Sequence, residues 1–406
     1  MFKALLGVAL SLTAISCTVQ ESAAPTGAWF KGNTHTHTLW SDGDGAPEVS
    51  VAWYKEHGYQ FLVLSDHNVF QDTERWFPVS EDGKKRLKPA ELQQIIDQFG
   101  ADAVQVREVD GKREMRLLTL KDLKARFEVN EQFLLIPGEE VTASFEGHPV
   151  HINAVNIAEV IPALKGESVA GLLNDTMDAI TAHGVEHDRS VLAHLNHPNF
   201  GWGLTWEEVA SMRSERFFEV YNGHQGVRNH GDESHPSIEE MWDRAQVLRL
   251  TELELPLLFG VATDDAHNYH GAPTAQTGRG WIMVKADSLE GNEIVDAMKR
   301  GDFYASSGVT LVDVQRGETE YRVEIETVIE TSYTTRFIGT RADSEGLDGV
   351  GEVLLETTEN PAVYTYKGDE LYVRAVVTSS KDHPNPYAKG DKEMAWTQPI
   401  QVAPTQ

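Results

Sequence analysis

Residues 31–43 read KGNTHTHTLWSDG, where His35 and His37 alternate along a predicted strand and Asp42 follows in a turn. Side chains two apart on a strand point the same way, so both imidazoles can reach one ion. Four later stretches repeat the order of an apolar strand followed by histidine or carboxylate: FLVLSDH (61–67), FLLIPGEE (133–140), VLAHLNHP (191–198) and LLFGVATDDAH (257–267). Because the strand ends of a barrel meet at one mouth, this pattern predicts a metal site there.

The order of elements predicts an α/β fold. Between Trp29 and Gly308, short apolar strands alternate with helical stretches, which is typical of an α/β fold. Residues 70–132 separate two of the donor-bearing strands and are expected to form an insertion beside the mouth. From Val309 the strands alternate without helices, so we expect a barrel over residues 29–308 and a small all-β sandwich over 309–406.

Local signals predict particular turns and caps. Pro47 starts a helix that runs to His57 and stops at Gly58. The stretch 104–118 alternates like a hairpin around Asp110-Gly111. The following helix, in TLKDLKARF, has Thr119 as its N-cap.

Charge and the N-terminus limit the partners and the location of the chain. The chain has 63 acidic and 35 basic residues and a formal net charge of −28, which argues against a nucleic-acid-binding surface. A small phosphorylated substrate is compatible with this charge, because divalent cations reverse the local potential.

Residues 1–17 are predicted to be a lipoprotein-type signal peptide, with Cys17, the single cysteine, as the lipid anchor, and residues 18–28 a tether. We expect an exported protein on the periplasmic side or in the outer membrane, with ordinary secretion as the alternative.

The motifs HTHT, SDHN, PGEEVT, HINAVN, NHPN and DDAH occur in this order over residues 31–308. In this respect the chain resembles the PHP family (polymerase and histidinol phosphatase domain), and in particular its exported members. The resemblance implies a distorted (β/α)7 TIM-like barrel with two or three divalent ions at its mouth. It also implies the hydrolysis of phosphate esters.

The resemblance further implies three sets of ligands. His35, His37, a glutamate and Asp265 would hold a first ion. The same glutamate, with His151 and His197, would hold a second. Asp42, His67 and His267 would hold a third. Ligation by nitrogen and oxygen alone suits Zn, Mn or Fe.

Several positions have a neighbour that competes for the same role. Glu140 is favoured over Glu139 because PGEEVT aligns as P-G-x-E-x-T. Asp265 fits D-x-H better than Asp264, which is expected either to support a ligand from behind or to be a capping residue. His151 competes with His148, and His197 competes with His194.

Other residues are expected to act around the ions. Asp66 is predicted to orient a ligand imidazole. Asp265 is the candidate acceptor of the proton of an attacking water, with His197 holding an ion beside it. The candidate donor to the leaving group is His194 or a histidine of the loop at 224–235. The loop at 220–236 supplies candidate substrate-binding residues, which are His224, Arg228 and His230.

The predicted function is a metal-dependent phosphoesterase in which a hydroxide between two ions attacks a phosphomonoester or phosphodiester. A hydrolase of a non-phosphorus bond, such as an amide, lactone or carbohydrate ester, is the first alternative, because a fold does not decide a reaction. A metal-stabilised binding lipoprotein without catalytic activity is the second. A basic side chain directed at the ions would favour phosphate, and the candidates are Arg189 and Arg228.

Overall fold

The computed structural model describes residues 27–81, 87–344 and 346–402. The predicted signal peptide at residues 1–17, including Cys17, and positions 18–26 of the tether lie outside the described residues. Within the described ranges, no helix combines the length and the apolar composition needed to cross a bilayer.

The strands and helices follow one another along the whole described chain. The strands are β1 (Ala28–Asn33), β2 (Phe61–Leu64), β3 (Arg75–Pro78), β4 (Val106–Val109), β5 (Lys112–Leu117), β6 (Leu134–Phe145), β7 (His148–Val155), β8 (Leu192–Leu195), β9 (Phe217–Asn222), β10 (Phe259–Thr263), β11 (Trp281–Ala286), β12 (Phe303–Ser306), β13 (Leu311–Arg316), β14 (Glu320–Ile325), β15 (Tyr333–Arg341), β16 (Glu352–Thr357), β17 (Ala362–Thr365), β18 (Glu370–Asp382), β19 (Lys392–Thr397) and β20 (Ile400–Gln401). The helices are α1 (Pro47–Glu56), α2 (Pro89–Phe99), α3 (Leu120–Phe127), α4 (Val169–Glu186), α5 (Trp206–Ala210), α6 (Ile238–Leu248) and α7 (Gly291–Arg300).

The local predictions are confirmed. Helix α1 begins at Pro47 and ends at Glu56, with His57 as its C-cap and Gly58 at a φ of +75°. Strands β4 and β5 form the hairpin around Asp110 and Gly111, both in the left-handed region. The Thr119 hydroxyl accepts a hydrogen bond from the Asp122 amide and caps α3.

One large sheet carries the fold, with strands in the order β10-β9-β8-β7-β6-β2-β1-β11-β12-β19-β18-β15-β16. Strand β1 pairs in parallel with β2, β2 with β6, β8 with β9, and β9 with β10. Strand β7 is antiparallel to both of its neighbours. The strands β2, β8, β9 and β10 are buried at every position, and the apolar faces of α4 and α6 pack against this sheet.

Seven strands, β1, β2 and β6–β10, correspond to the predicted barrel. Just beyond β1 and β10, Thr36 and Ala266 form an isolated parallel bridge, and the His37 amide donates to the Ala266 carbonyl at 2.9 Å. The structure is thus α/β, and the outermost strands approach each other at this bridge. Among the described residues β1 and β10 form no ladder with each other, so the closed barrel remains a prediction.

The motif FLLIPGEE predicted glutamates that follow a strand, but strand β6 continues through both of them as a hairpin with β7. Gly138 within this strand permits close packing. A Cβ at Gly138 would lie 2.4 Å from a methyl carbon of Val63 and 2.8 Å from the Ala154 carbonyl oxygen. The glycine therefore lets β2 and β7 approach β6 from both sides.

The predicted insertion at 70–132 forms its own antiparallel sheet, in the order β3-β5-β4, with α2 and α3. Its apolar core includes Leu39 and Trp40, and the Trp40 indole donates to the Leu118 carbonyl at 3.0 Å. The insertion therefore braces the turn that leads to Asp42.

The predicted β-domain at 309–406 is joined to the large sheet. Strand β12 pairs with β11 on one side and with β19 on the other, so hydrogen bonding runs on into β18, β15 and β16. The separate sheet β13-β14-β17 packs on this extension around Tyr304, Tyr321 and Phe337. The second half thus has two antiparallel layers, one of which continues the main sheet.

Buried polar groups also join the two halves. Arg374 of β18 donates from Nε to Asp243 Oδ1 at 2.8 Å and from Nη2 to Oδ2 at 2.6 Å, and Asp243 belongs to α6. The Tyr372 hydroxyl donates to Asp243 Oδ1 at 2.7 Å. Gln398 bonds to both the amide and the carbonyl of Gly260 in β10.

Glu48, in the first turn of α1, predicts a pH-dependent stability. Burial raises the pKa of Glu48 to about 7, and its Oε2 makes no hydrogen bond. The folded chain therefore holds this proton more tightly than the unfolded chain does, so the free energy of unfolding falls as pH rises from about 4.5 to 7. We expect Glu48→Gln to raise that free energy by roughly 1–3 kcal/mol at pH 8 and by far less at pH 4.5.

Urea denaturation of both proteins at the two pH values measures this difference. The control is Glu56→Gln, which changes an exposed glutamate of the same helix and should alter neither value. An equal gain at both pH values would show that Glu48 does not titrate between them.

Candidate metal centre

The nine side chains predicted as metal ligands meet at one end of the seven strands. His35, His37 and Asp42 follow β1, His67 follows β2, Glu140 lies in β6, His151 in β7, His197 follows β8, and Asp265 and His267 follow β10. All nine fall into four overlapping groups in which the possible ligand atoms lie within 4.8 Å of one another. The structure therefore brings the predicted set together.

The first group is buried and contains His35, His37 and Asp265. The two histidine Nε2 atoms lie 3.1 Å apart. Asp265 Oδ1 lies 3.3 Å from Nε2 of His35 and 3.2 Å from Nε2 of His37. These three atoms form a nearly equilateral triangle.

Glu140 lies at the centre of the cluster. Its Oε1 is 3.1 Å from His151 Nδ1, 3.4 Å from His197 Nε2 and 3.6 Å from His35 Nε2. Its Oε2 is 2.6 Å from His67 Nδ1. This carboxylate thus belongs to two of the groups.

The remaining group is the most accessible one. Asp42 Oδ1 lies 3.3 Å from His67 Nε2, 3.2 Å from His267 Nε2 and 3.6 Å from His37 Nδ1. The Asp42 side chain is 45% exposed, whereas those of His35, His37 and Glu140 are fully buried. The cluster therefore opens to solvent on the Asp42 side.

The spacing of these atoms fits bound divalent metal. Ligand atoms about 2.0–2.1 Å from a tetrahedral ion lie about 3.3 Å from one another, and most of the distances above are close to this value. Glu140 Oε2 is also fully buried, and it lies 2.6 Å from His67 Nδ1 and 3.5 Å from His37 Nε2. A buried carboxylate is costly unless positive charge or donors surround it, and here its neighbours are imidazoles that can themselves bind metal, so the donor set has the properties of a multi-metal site.

Protonation differs among the ligands. Burial and the neighbouring His267 lower the pKa of His37 to about 3, so its ring is neutral. Burial alone would lower the pKa of His35, but Asp265 and Glu219 outweigh it and raise the pKa well above the ordinary value. Burial alone would raise the pKa of Glu140, but His151 and His35 outweigh it and hold the pKa well below the ordinary value. Metal binds neutral imidazole and ionised carboxylate, so an ion at His35 would displace a proton.

The geometry separates the rival neighbours in β6 and β7. Glu139 points away from the cluster, and its Oε1 accepts a hydrogen bond from the Ile161 amide at 2.5 Å. His148 is exposed at the start of β7, whereas His151 contacts Glu140. Both preferences from the motif, Glu140 and His151, agree with this arrangement.

His194 and Asp264 lie outside the cluster of donors. His194 is fully buried, so a substrate could not reach its ring nitrogens in this structure. The predicted role of His194 in protonating a leaving group is therefore not supported. Asp264 Oδ1 accepts from the amides of Arg279 and Gly280 at 2.6 and 2.8 Å, which agrees with the capping role expected for it.

Asp66 lies behind the ligands and reaches one of them through a serine. It accepts hydrogen bonds from the Thr38 amide and hydroxyl at 2.7 and 2.9 Å, from Ser41 Oγ at 2.7 Å and from Gln71 Nε2 at 3.0 Å. Ser41 Oγ lies 3.3 Å from His37 Nδ1. Asp66 therefore holds the turn that carries Asp42, and its contact with a ligand imidazole is indirect.

Glu219 is the residue that the sequence reasoning missed. It is fully buried in β9 and lies 2.6 Å from His35 Nδ1. The detectable signal was a lone carboxylate within the apolar strand FFEVYN, at 217–222, since an acidic residue buried there requires a partner.

The predicted substrate loop lies partly over the cluster. His224 is half-buried, with its ring centroid 5.3 Å from that of His267, and burial lowers its pKa. Arg228 is exposed and lies over the Trp202 ring at 4.6 Å. His230 is 64% exposed and pairs with Asp391 Oδ1 at 3.3 Å, so of the three predicted residues only His224 is beside the donors.

The segment at 383–391 of the second half braces this loop. The Tyr387 hydroxyl donates to the Val227 carbonyl. Asn385 Oδ1 accepts from Arg279 Nη2 at 3.3 Å, and Arg279 Nη1 donates to the Gly223 carbonyl at 2.7 Å. The second half thus helps to shape the mouth, although we expected no chemistry in it.

Neither the family models nor the curated proteins contain a match to this chain. Among solved structures, a two-domain protein from Bacteroides vulgatus containing a predicted PHP-like metal-dependent phosphoesterase is 16% identical, with a TM-score of 0.40 over 93% of this chain and 96% of that one. A candidate metal-dependent phosphoesterase from Bifidobacterium adolescentis is 12% identical, with a TM-score of 0.30 over 66% of this chain and 94% of that one.

A third solved structure is an amidohydrolase from Chromobacterium violaceum, with bound sulfate and no metal. It is 14% identical to this chain, with a TM-score of 0.28 over 60% of this chain and 90% of that one. All three TM-scores lie below 0.5, so the fold and the activity of this chain rest on its own residues.

Proposed function

We propose that this chain is a metal-dependent hydrolase of the PHP type that cleaves phosphate esters, either monoesters or diesters. The main support is that the groups of possible ligand atoms overlap. Each of four residues belongs to two groups, and these are His35, His37, His67 and Glu140. Such sharing would hold two or three ions close together, as the ordered PHP-like motifs imply. We include in the proposal the export and lipid anchoring at Cys17 predicted from the N-terminus.

The buried floor and the accessible rim of the cluster suit hydrolysis. When bound, divalent ions lower the pKa of water and neutralise charge on phosphate oxygens. His35, His37 and Glu140 exclude solvent below, whereas the partly exposed Asp42, His67 and His267 leave room above for a substrate. The Asp265 carboxylate, ionised beside the two buried imidazoles, can accept the proton of the attacking water.

His224 is the best-placed donor to a substrate oxygen. Its Nδ1 accepts a hydrogen bond from the Gly226 amide at 2.9 Å, so the neutral ring carries its proton on Nε2. The lowered pKa keeps the ring neutral near pH 7, so Nε2–H can donate a hydrogen bond that orients a substrate oxygen. Transfer of a proton to the leaving group would require the protonated ring, so His224 is proposed here as a substrate-binding residue.

Hydrolysis of a non-phosphorus bond remains the second candidate for a specific reason. Arg189 Nη2 donates to Asn156 Oδ1 at 2.7 Å, and Arg228 lies over Trp202. Neither arginine is therefore directed at the donor cluster. A basic side chain directed at the ions would have favoured phosphate recognition, and neither Arg189 nor Arg228 supplies it.

Metal analysis of the purified protein, paired with hydrolysis of a mono- and a bis-nitrophenyl phosphate, tests the proposal. We expect two or three transition-metal ions per chain, and turnover that Asp265→Asn reduces by at least about 100-fold. Asp265→Asn keeps the side-chain volume, so its circular dichroism should match that of the parent.

Bound metal without turnover of either ester would favour the non-phosphorus hydrolase or the binding lipoprotein. Absence of metal after purification with added zinc or manganese would contradict the proposal itself. Equal rates in the parent and in Asp265→Asn would identify the activity as a contaminant.

A further inference from the structure

We propose that Glu219 is a positioning residue of the metal centre, which sets the tautomer of His35 and ties the ends of β8, β9 and β10 to it. The inference rests on the proposed function, because it requires an ion at His35. Glu219 interrupts the apolar strand β9 and has no exposed surface. A carboxylate in such a position is destabilising unless its oxygens are satisfied.

Four hydrogen bonds satisfy both oxygens of Glu219. Oε1 accepts from His35 Nδ1 at 2.6 Å and from Thr263 Oγ1 at 2.7 Å. Oε2 accepts from the His197 amide at 2.7 Å and from Asn222 Nδ2 at 2.8 Å. A carboxylate has about four acceptor sites, so each site of Glu219 has a donor.

The contact with His35 decides which ring nitrogen can bind an ion. Because Nδ1 donates its proton to Glu219, the neutral ring presents the lone pair of Nε2. That atom is the one that lies within 3.6 Å of His37, Asp265 and Glu140. An outer carboxylate of this kind orients a ligand imidazole and increases its basicity.

The same carboxylate also fixes two further predicted ligands. The backbone of His197 has a φ of +28°, which is uncommon for a residue with a side chain, and the bond from its amide to Glu219 holds it there. Asn222 Nδ2 also donates to Asp265 Oδ2 at 3.2 Å. Glu219 therefore contacts His35 and His197 directly and Asp265 through Asn222.

The test is Glu219→Gln, in which one acceptor oxygen becomes an NH₂ group facing other donors. We expect its affinity for zinc, measured by competition with a chelator, to fall about 10–100-fold. The matched control is Glu215→Gln, two residues before the same strand at its opposite end. Glu215 is also buried and lies 3.5 Å from Lys299, so its replacement should leave zinc affinity within about twofold.

Unfolding of chelator-treated protein separates positioning from a merely structural role. A structural role would lower the unfolding midpoint of the metal-free chain and leave zinc affinity of the folded chain unchanged, which would overturn the inference. If Glu219→Gln does not fold, Thr263→Val removes one donor and keeps the volume. That variant should weaken zinc binding in the same direction, and an unchanged affinity would equally overturn the inference.

Zinc binding distinguishes failure of the proposed metal centre from failure of the role proposed for Glu219. A parent protein that binds no zinc contradicts the proposed metal centre. A parent that binds zinc as tightly as Glu219→Gln does contradicts only the role of Glu219.

Discussion

Replacing Glu140 by glutamine is expected to remove at least one bound ion per chain and to reduce hydrolysis by well over 100-fold. Glutamine keeps the volume of the side chain but loses its charge, and only one of its two terminal atoms can accept. Glu140 Oε1 lies within 3.6 Å of three imidazoles, so this single change affects several groups of ligands. Changes in the outer shell of metal sites already cost about 10–100-fold, and loss of a shared ligand should exceed that.

The matched control is Glu139→Gln, the same substitution one residue earlier in β6. Burial raises the pKa of Glu139 to about 7, and Gln can still accept from the Ile161 amide through its oxygen. Metal content measured by mass spectrometry and the rate of ester hydrolysis should therefore match the parent. The reverse result, with Glu139→Gln inactive and Glu140→Gln active, would show that the strand is shifted by one residue.

Breaking the buried ion pair between Asp243 and Arg374 is expected to give the largest loss of stability. The two side chains are 5% and 1% exposed, and the guanidinium makes two bonds to the carboxylate. Asp243→Asn would leave the buried arginine with only the more distant and more exposed Glu239, at 3.5 Å, as a counter-charge, and loss of one partner costs about 3–5 kcal/mol in comparable pairs. The free energy of unfolding in urea measures this cost.

Two further variants show whether burial is the reason. Glu114→Gln breaks the surface pair with Arg107, which has an N–O distance of 2.7 Å, and should cost less than about 1 kcal/mol. The double variant Asp243→Leu with Arg374→Met removes both charges together and should recover most of the loss. A cost for Asp243→Asn no larger than that for Glu114→Gln would mean that the pair is solvated.

The sequence could predict the contacts that follow from strand ends. His35, His67, His197 and Asp265 each come directly after a short apolar strand, and parallel neighbours deliver such residues to one edge. No knowledge of packing was needed for this step. The same holds for the Asp110-Gly111 hairpin, whose turn type depends on two adjacent residues.

Contacts between distant segments could not be predicted in this way. His230 pairs with Asp391, which is 161 positions later, and no pattern around His230 identifies that partner. Asp66 and Glu219 were harder for another reason: their roles depend on which donors surround a buried carboxylate, and those donors come from several loops and strands.

The pairing of β12 with β19 limits where this chain can be truncated. A chain stopped after Gly308 would leave β12 with a bare edge and would uncover the ring of Tyr304. It would also remove Gln398, whose side-chain amide makes hydrogen bonds to the backbone N–H and carbonyl of Gly260. Such a fragment should self-associate or be degraded in the cell, so a minimal catalytic piece of this protein has to retain its C-terminal strands.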